Sequence, residues 1–219
     1  MSTESSIPDF RSPGGLWERF DPMEYAHIGA FQRDPAKVWQ MLVELEAIVM
    51  AARPNAGHRA LATLEQAGAL MGIVTQNIDG LHQEGGSTEV VEFHGSGRKL
   101  VCLRCQHRAS AEAMRERPRP PRCERCDTVM KPDAVLFGEA IPSDAMRRAD
   151  ALVEACDVML VCGTSAEVWP ASQLPEQARR RGAQVFEFNL ESCLSGYTVT
   201  GRVLGPVGTT LPALVDALV

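Results

Sequence analysis

Four cysteines stand in two Cys-x-x-Cys pairs, Cys102 with Cys105 in "CLRC" and Cys123 with Cys126 in "CERC", with 17 residues between the pairs. That is the spacing of a four-thiolate zinc ribbon. Each tight knuckle turns two sulfurs to one side, and two knuckles complete a tetrahedron round one Zn²⁺. A redox Cys-x-x-Cys is the rival chemistry, but a matched pair in a short segment with almost no core of its own favours a structural ion. Four thiolates leave no open coordination position, so the ion supports the fold and performs no reaction. The remaining cysteines, Cys156, Cys162 and Cys193, lie in apolar or helical surroundings and read as small buried hydrophobes.

A second kind of chemistry is suggested by four polar clusters, "TQNIDGLH", "FHGS", "GTSAEVWP" and "NLES", each placed just after an apolar run with β character. Singly, each has an ordinary alternative. Asn77 and Asp79 are good loop formers that bond their own backbone. His94 is equally a satisfied half-buried histidine. Gly163, Thr164 and Ser165 suit a helix entry, although the same turn offers N–H groups to a phosphate.

The elements that must position these clusters follow from periodicity and punctuation. "RDPAKVWQMLVELEAIVMAARP" carries Asp34 as N-cap, Pro35 at the first helical position and apolar residues at helical spacing, and is closed by Pro54. A second helix is capped by Asn55 and ended by Gly68. "LMGIVTQ", "STEVVEF", "DVMLVCG" and "AQVFEFN" read as strands. "SDAMRRADALVEAC", "SQLPEQARRRG" and "LPALVDALV" read as helices. This alternation predicts an α/β fold, a Rossmann-like parallel sheet with helices on both faces. In such a sheet the carboxyl ends of the strands line one crevice, where the four clusters converge. The basic, Pro- and Cys-rich stretch interrupts the rhythm. We therefore expect a small zinc-binding domain at residues 97–131 inserted into a nucleotide-binding domain made of residues 1–96 and 132–219.

A chain of 219 residues with net charge −6 has room for one sizeable core, and its acidity argues against a nucleic-acid partner. It shows neither a bilayer-length apolar run nor a signal segment, so no membrane partner and a cytoplasmic location are expected.

Taken in order, "STESSIPDFRSPGGLW", "TQNIDGLH", "EFHGS", the paired knuckles, "KPDAVLFGE", "GTSAEVWPAS" and "FNLE" resemble the sirtuins of the bacterial and archaeal type, NAD-dependent protein-lysine deacylases. The resemblance covers nearly the whole chain. It implies NAD as co-substrate, one structural zinc, and acyl-lysine proteins or peptides as partners. His94 corresponds to the general base that takes a proton from a ribose hydroxyl of NAD. Asn77, also catalytic, and Asp79 correspond to residues around the ribose and nicotinamide amide, with Gln76 on the ribose side and Ile78 against the amide. Phe10 and Arg11 correspond to residues over the reacting ribose. Gly163, Thr164 and Ser165 would hold phosphate or ribose oxygens, and Asn189 and Glu191 the adenosine ribose. The peptide would add as a strand, with Val135, Phe137, Gly138 and Val168 around the lysine stem. The products so implied are nicotinamide, O-acetyl-ADP-ribose and free lysine. Relatives that remove acidic acyl groups carry a Tyr and an Arg where this chain has Leu42 and Leu45, so acetyl and other uncharged acyl groups are expected.

Two departures matter. The family begins with a buried central strand and a Gly-rich turn leading into "STES", whereas here "STES" follows Met1, so an N-terminal truncation is expected. Ser6 stands where the family carries Gly, which matters if that position needs a positive φ. The alternatives left by the first departure are an inactive or repurposed chain acting as a zinc-ribbon peptide-binding module, or a protein ADP-ribosyltransferase.

Overall fold

The computed structural model describes residues 1–9 and 15–219. After a 3₁₀ turn at Ser2–Ser5 come three short helices, α1 (Leu16–Arg19), α2 (Pro22–Tyr25) and α3 (Ile28–Arg33). Two longer helices then begin where their caps dictate. In α4 (Pro35–Ala51) the Asp34 side chain accepts the Lys37 N–H, and Pro35 occupies the first turn. In α5 (Ala56–Gln66) the Asn55 side chain accepts the N–H groups of Gly57 and His58, while His58 Nδ1 accepts the N–H of Asn55. That reciprocal pair is a capping box built with histidine. Gly68, at φ +73°, ends the helix.

The strands in chain order are β1 (Ile73–Thr75), β2 (Val90–Glu92), β3 (Gly95–Val101), β4 (Arg108–Ser110), β5 (Lys131–Ala134), β6 (Val158–Cys162), β7 (Gln184–Asn189) and β8 (Gly201–Leu204). Between and after them lie α6 (Leu81–Glu84), α7 (Ser143–Ala155), α8 (Leu174–Arg180) and α9 (Val207–Leu218). The five strands of the α/β unit are all parallel, but they form two blocks, β1–β2 and β6–β7–β8. Side-chain alternation sorts their residues between two cores. Val91, Val161 and Val185 pack with α7 and α8 on one face. Ile73, Phe186 and Phe188 pack with α5 and α9 on the other. Among the described residues neither β1 nor β6 has a ladder partner on its free edge. A cavity of about 2040 Å³ reaches between those edges and is lined there by Ile73, Val74, Leu160 and Val161.

The zinc segment folds as an antiparallel sheet in the order β4-β3-β5. Its core is shared rather than private. Leu100, Met114 and Met130 pack with Phe31, Val38, Trp39 and Leu42 from α3 and α4. Trp39 Nε1 donates to the Met130 carbonyl at 2.8 Å, and Arg119 forms a forked ion pair with Glu46 of α4. Burying a Trp and a Leu in this way contributes several kcal/mol in order of magnitude, so metal is not the segment's sole support.

Sequence reasoning missed the ribbon strands and β8, which are short and carry Gly, Pro or charge. It also placed the start of the last helix at Leu211, but α9 begins at Val207. The reason is a cap from the far end of the chain: the Glu4 carboxylate accepts the N–H groups of Val207 at 3.1 Å and Gly208 at 2.9 Å. Cys156 and Cys162 are half-buried, and Cys193 is exposed in the loop after β7, so the expectation of three buried cysteines is corrected.

Candidate active site

His94 stands in the two-residue turn between β2 and β3. Its Nδ1 lies 3.1 Å from the Gln76 carbonyl, which can only accept, so Nδ1 carries the proton and Nε2 keeps a free lone pair. Burial holds its pKa below the usual histidine value, and the bond to Gln76 opposes that only in part. The ring is therefore neutral at pH 7, in the form a general base requires.

The loop after β1 is tied on every side. Thr75 Oγ1 accepts the Asn77 N–H at 3.1 Å, and the Ile78 carbonyl accepts the Gly97 N–H at 2.7 Å. Asn77 Nδ2 donates to Ser2 Oγ at 2.6 Å, and Ser2 donates to Asp79 Oδ2 at 2.5 Å. Asp79 is buried, and its other oxygen accepts the Leu81 N–H. Ser2 therefore orients both Asn77 and Asp79, a role that sequence reasoning did not assign. Its signal lay in "STES", but only folding brings that turn to the loop 75 residues away. Behind Asp79, the rings of His58 and His82 lie 4.8 Å apart, both buried. Burial, aided by His82, pushes His58 down to about 4, and burial also lowers His82.

Three strand ends are linked across the cleft. Gln76 Nε2, after β1, donates to Thr164 Oγ1, after β6, at 3.3 Å. Asn189, at the end of β7, donates to the Thr164 carbonyl at 2.8 Å. Gly163 takes φ +57°, and a Cβ there would lie 2.5 Å from the Met1 nitrogen, so both conformation and space demand glycine. Ser165 and Glu191 are exposed beside this turn.

On the opposite wall the Val135 N–H donates to the His94 carbonyl at 2.8 Å, which joins that wall to the His94 turn. The backbone of Phe137 bridges that of Ala26 and Ile28, and its exposed ring stands 6.2 Å from Trp17. Buried Lys131 pairs with Glu139 at 3.0 Å, and Glu139 accepts the Leu136 N–H, so an internal ion pair shapes the "VLFGE" loop. Sequence reasoning did not single out that pair. Gly138 and half-buried Val168 complete this wall. Every sequence-predicted cofactor or substrate residue that is described lines this one cleft, from Gln76 to Glu191. Phe10 and Arg11 lie outside the described residues.

Apart from this cleft, the Sγ atoms of Cys102, Cys105, Cys123 and Cys126 all lie within 4.8 Å of one another, with neighbouring pairs at 3.4 to 3.6 Å. Sulfurs at about 2.3 Å from a tetrahedral Zn²⁺ would stand about 3.8 Å apart. The four thiols fit one zinc ion.

The Sir2 family model matches residues 1–170. An NAD-dependent protein deacylase 2 of Pyrobaculum aerophilum is 43% identical over 216 residues, which covers 99% of this chain and 86% of that protein. A solved Sir2 homologue–NAD complex superposes with a TM-score of 0.92 at 38% identity, covering 99% of this chain and 84% of the other. A Sir2–p53 peptide–NAD⁺ complex superposes with a TM-score of 0.88 at 32% identity, covering 99% and 88%. With its ribbon, its parallel strand ends and a histidine poised as a base, this chain belongs to the Sir2 family.

Proposed function

We propose that this protein is an NAD-dependent protein-lysine deacylase that transfers uncharged acyl groups, acetyl above all, from lysine to ADP-ribose. The observation that carries the reading is His94, neutral, with Nδ1 committed to the Gln76 carbonyl and Nε2 free, on the wall of a cleft that collects three strand ends. Bound in this cleft, NAD supplies an electrophilic ribose carbon whose leaving group is nicotinamide. His94 Nε2 takes the proton from a ribose hydroxyl. Asn77 and Asp79, locked through Ser2, set the pocket for the ribose and the amide, with Gln76 and Ile78 beside them. Gly163, Thr164 and Ser165 hold phosphate or ribose oxygens, and Asn189 and Glu191 hold the adenosine ribose. Val135, Phe137, Gly138 and Val168 surround the lysine stem. We assign Phe10 and Arg11 to the nicotinamide ribose from the sequence resemblance.

Leu42 and Leu45 both line the cavity, and the charged residues beside them on the helix, Glu44 and Glu46, are acidic. Among the described residues that line the cavity there is no lysine or arginine, so a succinyl carboxylate would lose its hydration there uncompensated. We read residues 97–131 as the zinc domain and residues 1–96 with 132–219 as the NAD domain. Seven free cysteines suit a reducing cytoplasm, and among the described residues no helix is long and apolar enough to cross a membrane.

The test is an assay of the zinc-loaded chain with NAD and an acetyl-lysine peptide, following nicotinamide and O-acetyl-ADP-ribose. His94→Ala should lower turnover by about 10² to 10⁴-fold. An unchanged rate, or no nicotinamide release by the parent chain at normal zinc content, overturns the reading. Faster release from a succinyl peptide than from an acetyl peptide overturns the acyl preference.

A further inference from the structure

We propose that Glu187 and Arg202 form a positioning clamp that sets the loop 190–194 at the adenosine end of the NAD cleft. The observation is a charge where the strand pattern calls for an apolar residue. Glu187 shares a face of β7 with core residue Val185 and is wholly buried. Oε1 accepts the N–H of Cys193 at 2.6 Å and that of Leu194 at 3.3 Å. Oε2 accepts Arg202 Nε at 3.0 Å and Ser192 Oγ at 3.4 Å. Arg202, opposite Glu187 in the β7–β8 register, also donates to the Leu194 carbonyl at 2.8 Å. The carboxylate thus collects backbone donors from a loop that has no regular structure of its own, and the guanidinium closes the ring from the neighbouring strand.

A buried ion pair adds little stability over an apolar pair of similar size, so its value here is geometric. Burial works to raise the carboxyl pKa, but bonds from Cys193, Arg202 and Leu194 outweigh it and leave the group ionised. What the clamp positions is the segment between Asn189, whose side chain spans the Thr164 carbonyl and Cys193 Sγ, and Leu194. Glu191 lies within that segment. Neither clamp residue lines the cavity, so both act through the loop.

The inference rests on the reading of Asn189 and Glu191 as the adenosine-ribose site. It is tested with Glu187→Gln and with the charge-free double variant Glu187→Leu, Arg202→Leu, which carries no unpaired buried charge if the single variant folds poorly. Both should raise KM for NAD and Kd for ADP-ribose by about tenfold, with kcat and the KM for acetyl-lysine peptide unchanged. A purely structural role predicts that the double variant restores NAD affinity together with stability, and that result overturns the clamp. Unchanged ADP-ribose affinity in the clamp variants, beside weakened affinity in Asn189→Ala, sinks the clamp alone. Unchanged affinity in both Asn189→Ala and Glu191→Ala sinks the adenosine-site reading and the clamp with it. On the unsubstituted chain, hydrogen exchange should find the Cys193 and Leu194 amides protected before ADP-ribose is added; exchange at the rate of an open loop overturns the proposal.

Discussion

In the zinc ribbon the two knuckles are near copies. Gln106 donates to the Cys102 carbonyl at 2.9 Å with φ +58°, and Asp127 donates to the Cys123 carbonyl at 2.8 Å with φ +57°. The Cys102 and Cys123 N–H groups close each turn onto His107 and Thr128, five residues on in each case. In the cofactor cleft nothing is so local. Asn77 reaches Ser2 across 75 residues, Gln76 reaches Thr164 across 88, and Asn55 holds the Met1 carbonyl across 54. A metal site can be written as a short spacing because each knuckle needs only its own turn. A cleft between strand ends exists only once the strands are in place. The contrast has a limit, since the ribbon leans on α4 through Trp39 and Leu42.

The largest effect should come from breaking the ribbon. Chelation, or Cys123→Ser, removes zinc binding worth on the order of 10 kcal/mol. Because the core is shared, exchange protection should fall in α4 as well as in the ribbon. A metal-free chain whose Trp39 indole stays protected would show the two cores to be independent. A smaller effect belongs to the far side of the cleft. His58 has a folded pKa pushed down from 6.5 to about 4, so the unfolded chain binds the proton more readily. Its contribution is fully present above pH 6.5 and is lost as the pH falls toward about 4, a change of about 3 kcal/mol. Denaturant titrations across that window should show the slope, and His58→Gln should flatten it; equal slopes would remove His58 as its source. The smallest effect sharpens the role of the first turn. Ser6 sits at φ +65°, in the left-handed region that favours glycine. Ser6→Gly should raise stability by about 0.5–1 kcal/mol, read as a shift in the unfolding midpoint, and a loss would mean that the serine side chain outweighs the strain.

Much of the fold was legible. Asp34 and Asn55 mark helix starts through bonds to residues two or three positions away, and Pro35 by its fixed φ in the first turn; the structure places both helices there. The apolar runs ending at Thr75, Glu92, Cys162 and Asn189 are four of the five parallel strands. What escaped sequence reasoning depended on distant partners. The start of α9 is capped by Glu4, the loop after β1 is locked by Ser2, and the loop after β7 is held by Glu187, whose partners lie beyond the "QVFEFN" run.

By itself the sequence determined the zinc ligands, the helix caps, the alternation that makes a parallel α/β fold, and the identity of the residues gathered at the strand ends. All of these are set by neighbours within a turn or a strand length. Only the tertiary structure decided which nitrogen of His94 carries the proton, since that follows from the Gln76 carbonyl 18 residues away. It alone decided that Ser2 orients Asn77 and Asp79, that the ribbon shares its core with α4, and that the parallel strands stand in two blocks with a cavity between them. Such features depend on which long-range contacts form together, and no spacing along the chain records them.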